Sequence, residues 1–163
     1  LEETMQQNTY AELIIKLEEG YVSREYHCSE GFRSIGYGRK LSNIKFETLG
    51  NTVAIEKEEI VFVRQRIADI ISKLSVNKKI AWCKCNEQRQ AILISLAYQV
   101  GVDGILKFKK MWAAIEMSNF EEASRQMLDS LWAKQTKNRA LRHSKTMKDG
   151  TLDMYYLSKG TFN

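Results

Sequence analysis

The segment that most restricts the fold is residues 88–100, QRQAILISLAYQV. Ala91, Ile92, Leu93, Ile94, Leu96, Ala97 and Val100 put apolar groups on nearly every face of a helix, and such a helix leaves water only if other elements surround it. A chain of 163 residues is the length of one domain, so the rest of this chain must supply that surround. Gly101 and Gly104 mark the end of the segment. Ile60, Val63, Ile67, Ile70 and Leu74 recur at helical steps and predict a long helix with one buried stripe, and further helical patterns run over 108–117, 120–128 and 137–147. Trp82, Trp112 and Trp132 fall at helical positions and read as structural.

The N-terminal third differs. Thr9-Tyr-Ala-Glu12 has the form of a capping box, Leu13, Ile14 and Leu17 follow at helical spacing, and Gly20 is a natural stop, so a short helix closes at Glu18 and Glu19. From 21 to 46, glycines at 31, 36 and 38 alternate with Tyr26, Phe32, Ile35 and Tyr37, a pattern of short strands and tight turns that predicts a small antiparallel sheet. A turn follows around Gly50 and Asn51. The fold class is therefore α+β: a small sheet-containing lobe over 9–55, a connecting helix over 56–76 and a larger all-helical lobe over 77–163, with a cleft between the lobes.

Composition narrows the partners. No apolar run is long enough to span a bilayer, and LEETMQQNTY lacks the order of a signal peptide, so no membrane partner is expected; the leading Leu hints at a processed product or a segment of a longer chain. A net charge of +5 favours a polyanion. The lysines are scattered and no DNA- or RNA-binding motif appears, which argues against nucleic acid. Cys28, Cys83 and Cys85 are odd in number and two of them lie too close for a disulfide framework. His27 adjoins Cys28 and His143 is distant, so neither a metal site nor any other cofactor is expected.

Glu19 is the first candidate for chemistry. At the C-terminal end of a helix the macrodipole is negative, which favours the protonated carboxyl, and a general acid for glycosidic cleavage needs a proton to give. Position alone fits a solvated glutamate equally well.

The run LEEGYVSREYHCSEGFRSIGYGRKL resembles the active-site segment of the T-even phage lysozyme family, through Glu19, Gly20, Glu30, Gly31, Ser34, Ile35, Gly36 and Gly38. RQAILISLAYQVGVDGILKF resembles the family's central buried helix and the turn after it, and DSLWAKQTKNRALR its tryptophan, Gln-Thr and Asn-Arg segment. Together these matches span most of residues 13–155. The resemblance implies a two-lobed lysozyme fold and a muramidase that cuts the β-1,4 bond between N-acetylmuramic acid and N-acetylglucosamine in peptidoglycan. It assigns the general acid to Glu19, the second carboxylate to the position of Cys28 and the water-holding hydroxyl to Ser34.

Cys28 departs from the family pattern, and three readings stay open. The thiolate acts as a weak base or nucleophile, with Arg24 and His27 favouring it and Glu25 and Glu30 opposing it. Alternatively Glu19 and Ser34 work with water alone, or Glu30 stands in for the missing carboxylate. In the third reading turnover is lost and the domain binds the wall or is structural. Arg139 matches an arginine that faces the catalytic glutamate and would lower its pKa, against the helix dipole. Arg39 and Arg66 occupy positions where the family often has a histidine–aspartate pair, so that ion pair is expected to be lost. Sugar-contact positions fall on Lys40, Tyr98, Met111 and Gln126, and Gln99 and Phe108 match as cleft lining or packing. Peptidoglycan is then the natural anionic target. DSLWAKQTK is more similar to the lysozyme domains of T-even tail-hub proteins than to the free endolysin. The resemblance implies a phage-encoded enzyme reaching host periplasmic peptidoglycan either from the virion tail at infection, the route this likeness favours, with other tail proteins as partners, or from the host cytoplasm at lysis.

Overall fold

The apolar segment forms a helix, α4 (Glu87–Val100), buried from Ala91 through Tyr98 in a computed structural model that describes residues 5–160. Asn86 caps its start by accepting from the Arg89 N–H, and Gly101 ends it with φ +84°. Gly104 lies inside the next helix, α5 (Val102–Leu106), rather than in the turn. α4 is enclosed as its composition demands. α1 (Thr9–Glu19), α2 (Glu56–Asn77), α5 and α9 (Lys137–Asp149) all pack on it, and α1 also meets α10 (Met154–Lys159). α3 (Lys79–Lys84), α6 (Lys109–Glu116), α7 (Phe120–Leu128) and α8 (Leu131–Gln135) complete the helical part. All three tryptophans are buried, and Trp112 donates its indole N–H to the Ile105 carbonyl at 2.9 Å.

The cap of α1 differs from the expected box. Asn8, not Thr9, is the N-cap: its Oδ1 accepts from the Ala11 N–H at 3.0 Å, while its amide donates to the Glu87 carbonyl at 3.0 Å. An asparagine can cap one helix and tether another, which a threonine hydroxyl is too short to do. Glu12 is thereby released to pair with Arg64 of α2 at 2.9 Å.

The sheet is antiparallel in the order β1 (Val22–His27), β2 (Phe32–Gly36), β3 (Arg39–Lys45), with Ser34 opposite Tyr26 on one side and Lys40 on the other. Glu25 staples the following loop to it, accepting from Arg33 Nε at 2.8 Å and from the Gly50 and Thr52 N–H groups at 3.0 and 2.9 Å. Arg33, then these N–H groups, hold its carboxyl down to about 2. Between sheet and α2 the expected loss of an ion pair is corrected. Arg39 reaches both oxygens of Glu59, Nε to Oε2 at 2.9 Å and Nη2 to Oε1 at 2.7 Å. Glu59 lies two helical turns before Arg66 along α2, so Arg39 finds a carboxylate on this helix although position 66 is basic. Gly36 (φ +66°) makes room for it, since a Cβ there would strike the Glu59 carboxylate.

Candidate active site

Glu19 ends α1, where Gly20 (φ +68°) turns the chain into β1. Its side chain is 22% exposed, and its carboxylate has Arg139 as ion-pair partner and Gly38 close by. Arg139 of α9 donates Nη1–H to Oε1 at 2.9 Å. Opposite, Gly38 of the β2–β3 turn comes so near that a Cβ there would lie 3.3 Å from Oε2. Its φ of +79° suits glycine as well, so any side chain at 38 strains the turn and crowds the carboxylate.

Arg139 is itself buried and fixed by a chain of polar groups. Its Nη2 donates to the Ser95 carbonyl at 3.2 Å and to Ser95 Oγ at 3.0 Å. Ser95 Oγ lies 2.7 Å from His143 Nε2, His143 Nδ1 lies 3.1 Å from the Tyr156 hydroxyl, and that hydroxyl donates to Glu18 Oε1 at 2.6 Å. Arg142 closes the chain, Nε and Nη2 on the two Glu18 oxygens at 2.8 and 3.0 Å. The directions are determined. Because the phenol gives its one hydrogen to Glu18, His143 must carry its hydrogen on Nδ1 and accept from Ser95 at Nε2. His143 is thus a neutral imidazole, and burial, followed by the charges of Arg139 and Arg142, pushes its pKa well below 6.5.

This buried imidazole makes stability depend on pH. Below pH 6.5 the unfolded chain protonates His143 and the folded one does not, so stability falls with acidification by up to about 1.4 kcal/mol per pH unit. Thermal melts at pH 6.5 and 5 should show this decline in the wild type and a flatter profile in His143→Met. Equal slopes would mean that His143 protonates as readily in the fold as outside it.

Cys28 sits in the turn after β1. Its N–H donates to the Phe32 carbonyl at 2.9 Å, and its carbonyl accepts from the Gly31 N–H at 2.8 Å. Burial pushes the thiol up, but the backbone N–H groups of Phe32 and Glu30, the neighbouring Ser34 hydroxyl and the Lys40 charge together hold it below its ordinary value. The groups that decide are those the hairpin folds back over the thiol, not the charges beside it in sequence: Glu25 is turned to Arg33, and His27 contacts the Glu47 carbonyl at 2.6 Å. Tyr26 links the two candidates. Burial raises the pKa of its phenol, and negative charge on Glu19 and on Cys28 raises it further, so both acidic groups lie within electrostatic reach of one hydroxyl.

The remaining predicted residues lie on β2, β3, α4 and α7 and at the start of α6. Ser34 is buried and donates to the Phe32 carbonyl at 3.1 Å. Lys40 lies over the Phe32 ring, with Nζ 3.7 Å from the exposed carboxylate of Glu30. Tyr98 is 5% exposed, donates to the Tyr37 carbonyl at 2.6 Å and carries Arg66 on its ring at 4.1 Å, so its face is already covered. Gln99 accepts from the Trp132 indole N–H at 2.7 Å, and Phe108 meets Trp132 edge-on. Phe108, Met111, Gln126 and Trp132 share a hollow of about 490 Å³, and Lys40 and Tyr98 share another of about 480 Å³. Among the described residues no cluster of His, Cys, Asp and Glu could hold a metal ion, and no helix is long and apolar enough to cross a membrane.

The family profile described as phage lysozyme matches residues 16–146, which contain both acidic candidates and Arg139. The chain belongs to the phage lysozyme family. It is 29% identical over 161 residues to the pre-baseplate central spike protein Gp5 of Enterobacteria phage T4, an alignment that covers 87% of this chain but only 28% of that relative. It is 28% identical over 162 residues to the probable T4-type lysozyme 1 of Dictyostelium discoideum, covering 87% of this chain and 95% of the relative. A second Dictyostelium discoideum relative, probable T4-type lysozyme 2, is 25% identical over 162 residues. The residues that sequence reading missed are Tyr26, Ser95, His143, Tyr156, Glu18 and Arg142. Only Glu18 carried a signal, as the neighbour of Glu19; Tyr156 is 138 positions from the carboxylate it binds.

Proposed function

We propose that this lysozyme-family chain is a working muramidase in which Cys28 takes the place of the second acidic residue. The observation that carries this reading is the setting of the Cys28 thiol, whose pKa is lowered from 9.0 by groups of its own hairpin despite burial.

In this reading peptidoglycan lies across the face between sheet and helices. Glu19 gives its proton to the glycosidic oxygen as the bond to the sugar carbon breaks. The Cys28 thiolate opposes the positive charge that develops on the ring and takes a proton from the attacking water, whose oxygen joins the sugar carbon. Ser34 holds that water. The cycle ends with Glu19 ionised and Cys28 protonated, and exchange with solvent restores both. The net charge of +5 draws the chain to an anionic wall, and the likeness to a baseplate spike protein fits delivery from a phage tail.

Hydrolysis of purified peptidoglycan tests the reading. Cys28→Ser should lower the rate by about 100-fold or more, the loss expected when a positioned proton acceptor is removed, and Cys28→Asp should retain activity. A wild type without turnover that gains it in Cys28→Asp would establish the alternative, a wall-binding or structural domain.

A further inference from the structure

The hollow between β3 and α2 has a charge that the reaction at Glu19 does not require. Arg39, Lys40 and Arg66 line it, against the single carboxylate of Glu59. Both guanidinium groups lie over rings, Arg39 over Phe62 at 4.2 Å and Arg66 over Tyr98 at 4.1 Å. Each is also anchored at one edge, Arg39 on Glu59 and Arg66 through Nη2 on the Tyr98 carbonyl at 2.6 Å. A guanidinium has more N–H groups than these bonds use, and its planar edge matches a carboxylate. Because stacking and anchoring already restrict both side chains, a ligand need immobilise little to engage them.

We propose that this hollow is an anion-selective subsite that takes a carboxylate of the peptide stem attached to the glycan. Its position supports that occupant. Arg39 directly follows Gly38, where an added Cβ would lie 3.3 Å from Glu19 Oε2, so a group seated here belongs to sugars beside the bond placed at Glu19. The N-acetylated sugar backbone is uncharged, and the acids of this polymer reside on its peptide stems. A volume of about 480 Å³ admits a short peptide segment rather than a bare ion alone. The identity of the ligand rests on the muramidase reading, whereas the selectivity for an anion does not.

The test is a binding measurement that needs no turnover, made by calorimetry in a Glu19→Gln background. One probe is a disaccharide-tetrapeptide muropeptide, the other the same molecule with its stem carboxylates amidated. At low salt the acidic probe should bind about tenfold more tightly, and the gap should narrow at high salt, as expected for half-exposed ion pairs. Arg66→Gln should shrink the gap to about twofold. Arg39→Lys, which preserves a cation for Glu59 but removes the planar edge, should shrink it in part. Melting curves of both variants confirm that they fold. Equal affinity for the two probes, or a gap unchanged in Arg66→Gln, would overturn the proposal. So would binding of a glycerol-phosphate oligomer with none of the acidic muropeptide. Wild-type hydrolysis of purified peptidoglycan is scored separately: the binding gap without turnover would sink the muramidase reading and leave this one standing.

Discussion

Glu19→Gln should lower peptidoglycan hydrolysis by at least about 100-fold, the loss expected when a general acid is removed. The amide is nearly isosteric. Its oxygen can still accept from Arg139 Nη1, now at 2.9 Å, and its bulk still fits against Gly38. What it lacks is a transferable proton. Glu19→Asp keeps that proton but withdraws the carboxyl by one methylene from the place where Arg139 and Gly38 hold it, so an intermediate rate is expected. Reducing-sugar release from purified walls measures both variants, with circular dichroism to show that each is folded. Wild-type turnover in Glu19→Gln would remove Glu19 from the chemistry.

Glu18→Ala should have the largest effect on stability, about 3 kcal/mol, in the range for breaking one side of a buried ion pair. The Glu18 side chain is 6% exposed and Arg142 is 21% exposed, so both partners are largely out of water. Deleting the carboxylate leaves the Arg142 guanidinium and the Tyr156 hydroxyl without their acceptor, and it removes the end of the chain that fixes the His143 tautomer. In a domain of this size the loss corresponds to a melting temperature lower by about 10 °C. Tyr156→Phe removes one hydrogen bond and leaves the ion pair, and should cost only about 1 kcal/mol. A Glu18→Ala melting point within about 2 °C of the wild type would show that the network does not hold α1 in place.

The helical part and the sheet were legible because their signals are local. An apolar run such as Ala91 to Tyr98 needs no partner to be recognised, and the buried stripe on α2 follows from spacing alone. The glycines between 31 and 38 announce turns for the same reason. Glu19 and Cys28 were legible as candidates through their family positions. So was Arg139 as the residue facing Glu19, whereas the setting of Cys28 was not. The thiol's setting depends on which backbone N–H groups the hairpin turns toward it, and sequence neighbours such as Glu25 and His27 point elsewhere.

Sequence by itself therefore determined the class of fold and the family, and it singled out Glu19 and Cys28 as the acidic candidates. Tertiary structure alone decided how those groups are held. Pairings such as Tyr156 with Glu18, across 138 positions, or Arg39 with Glu59 rather than with a residue two turns along the same helix, have no local signature. Hydrogen bonds and ion pairs act over a few ångströms. The folding of distant segments onto one another thus determines which donor meets which acceptor, and periodicity along the chain carries no record of that meeting.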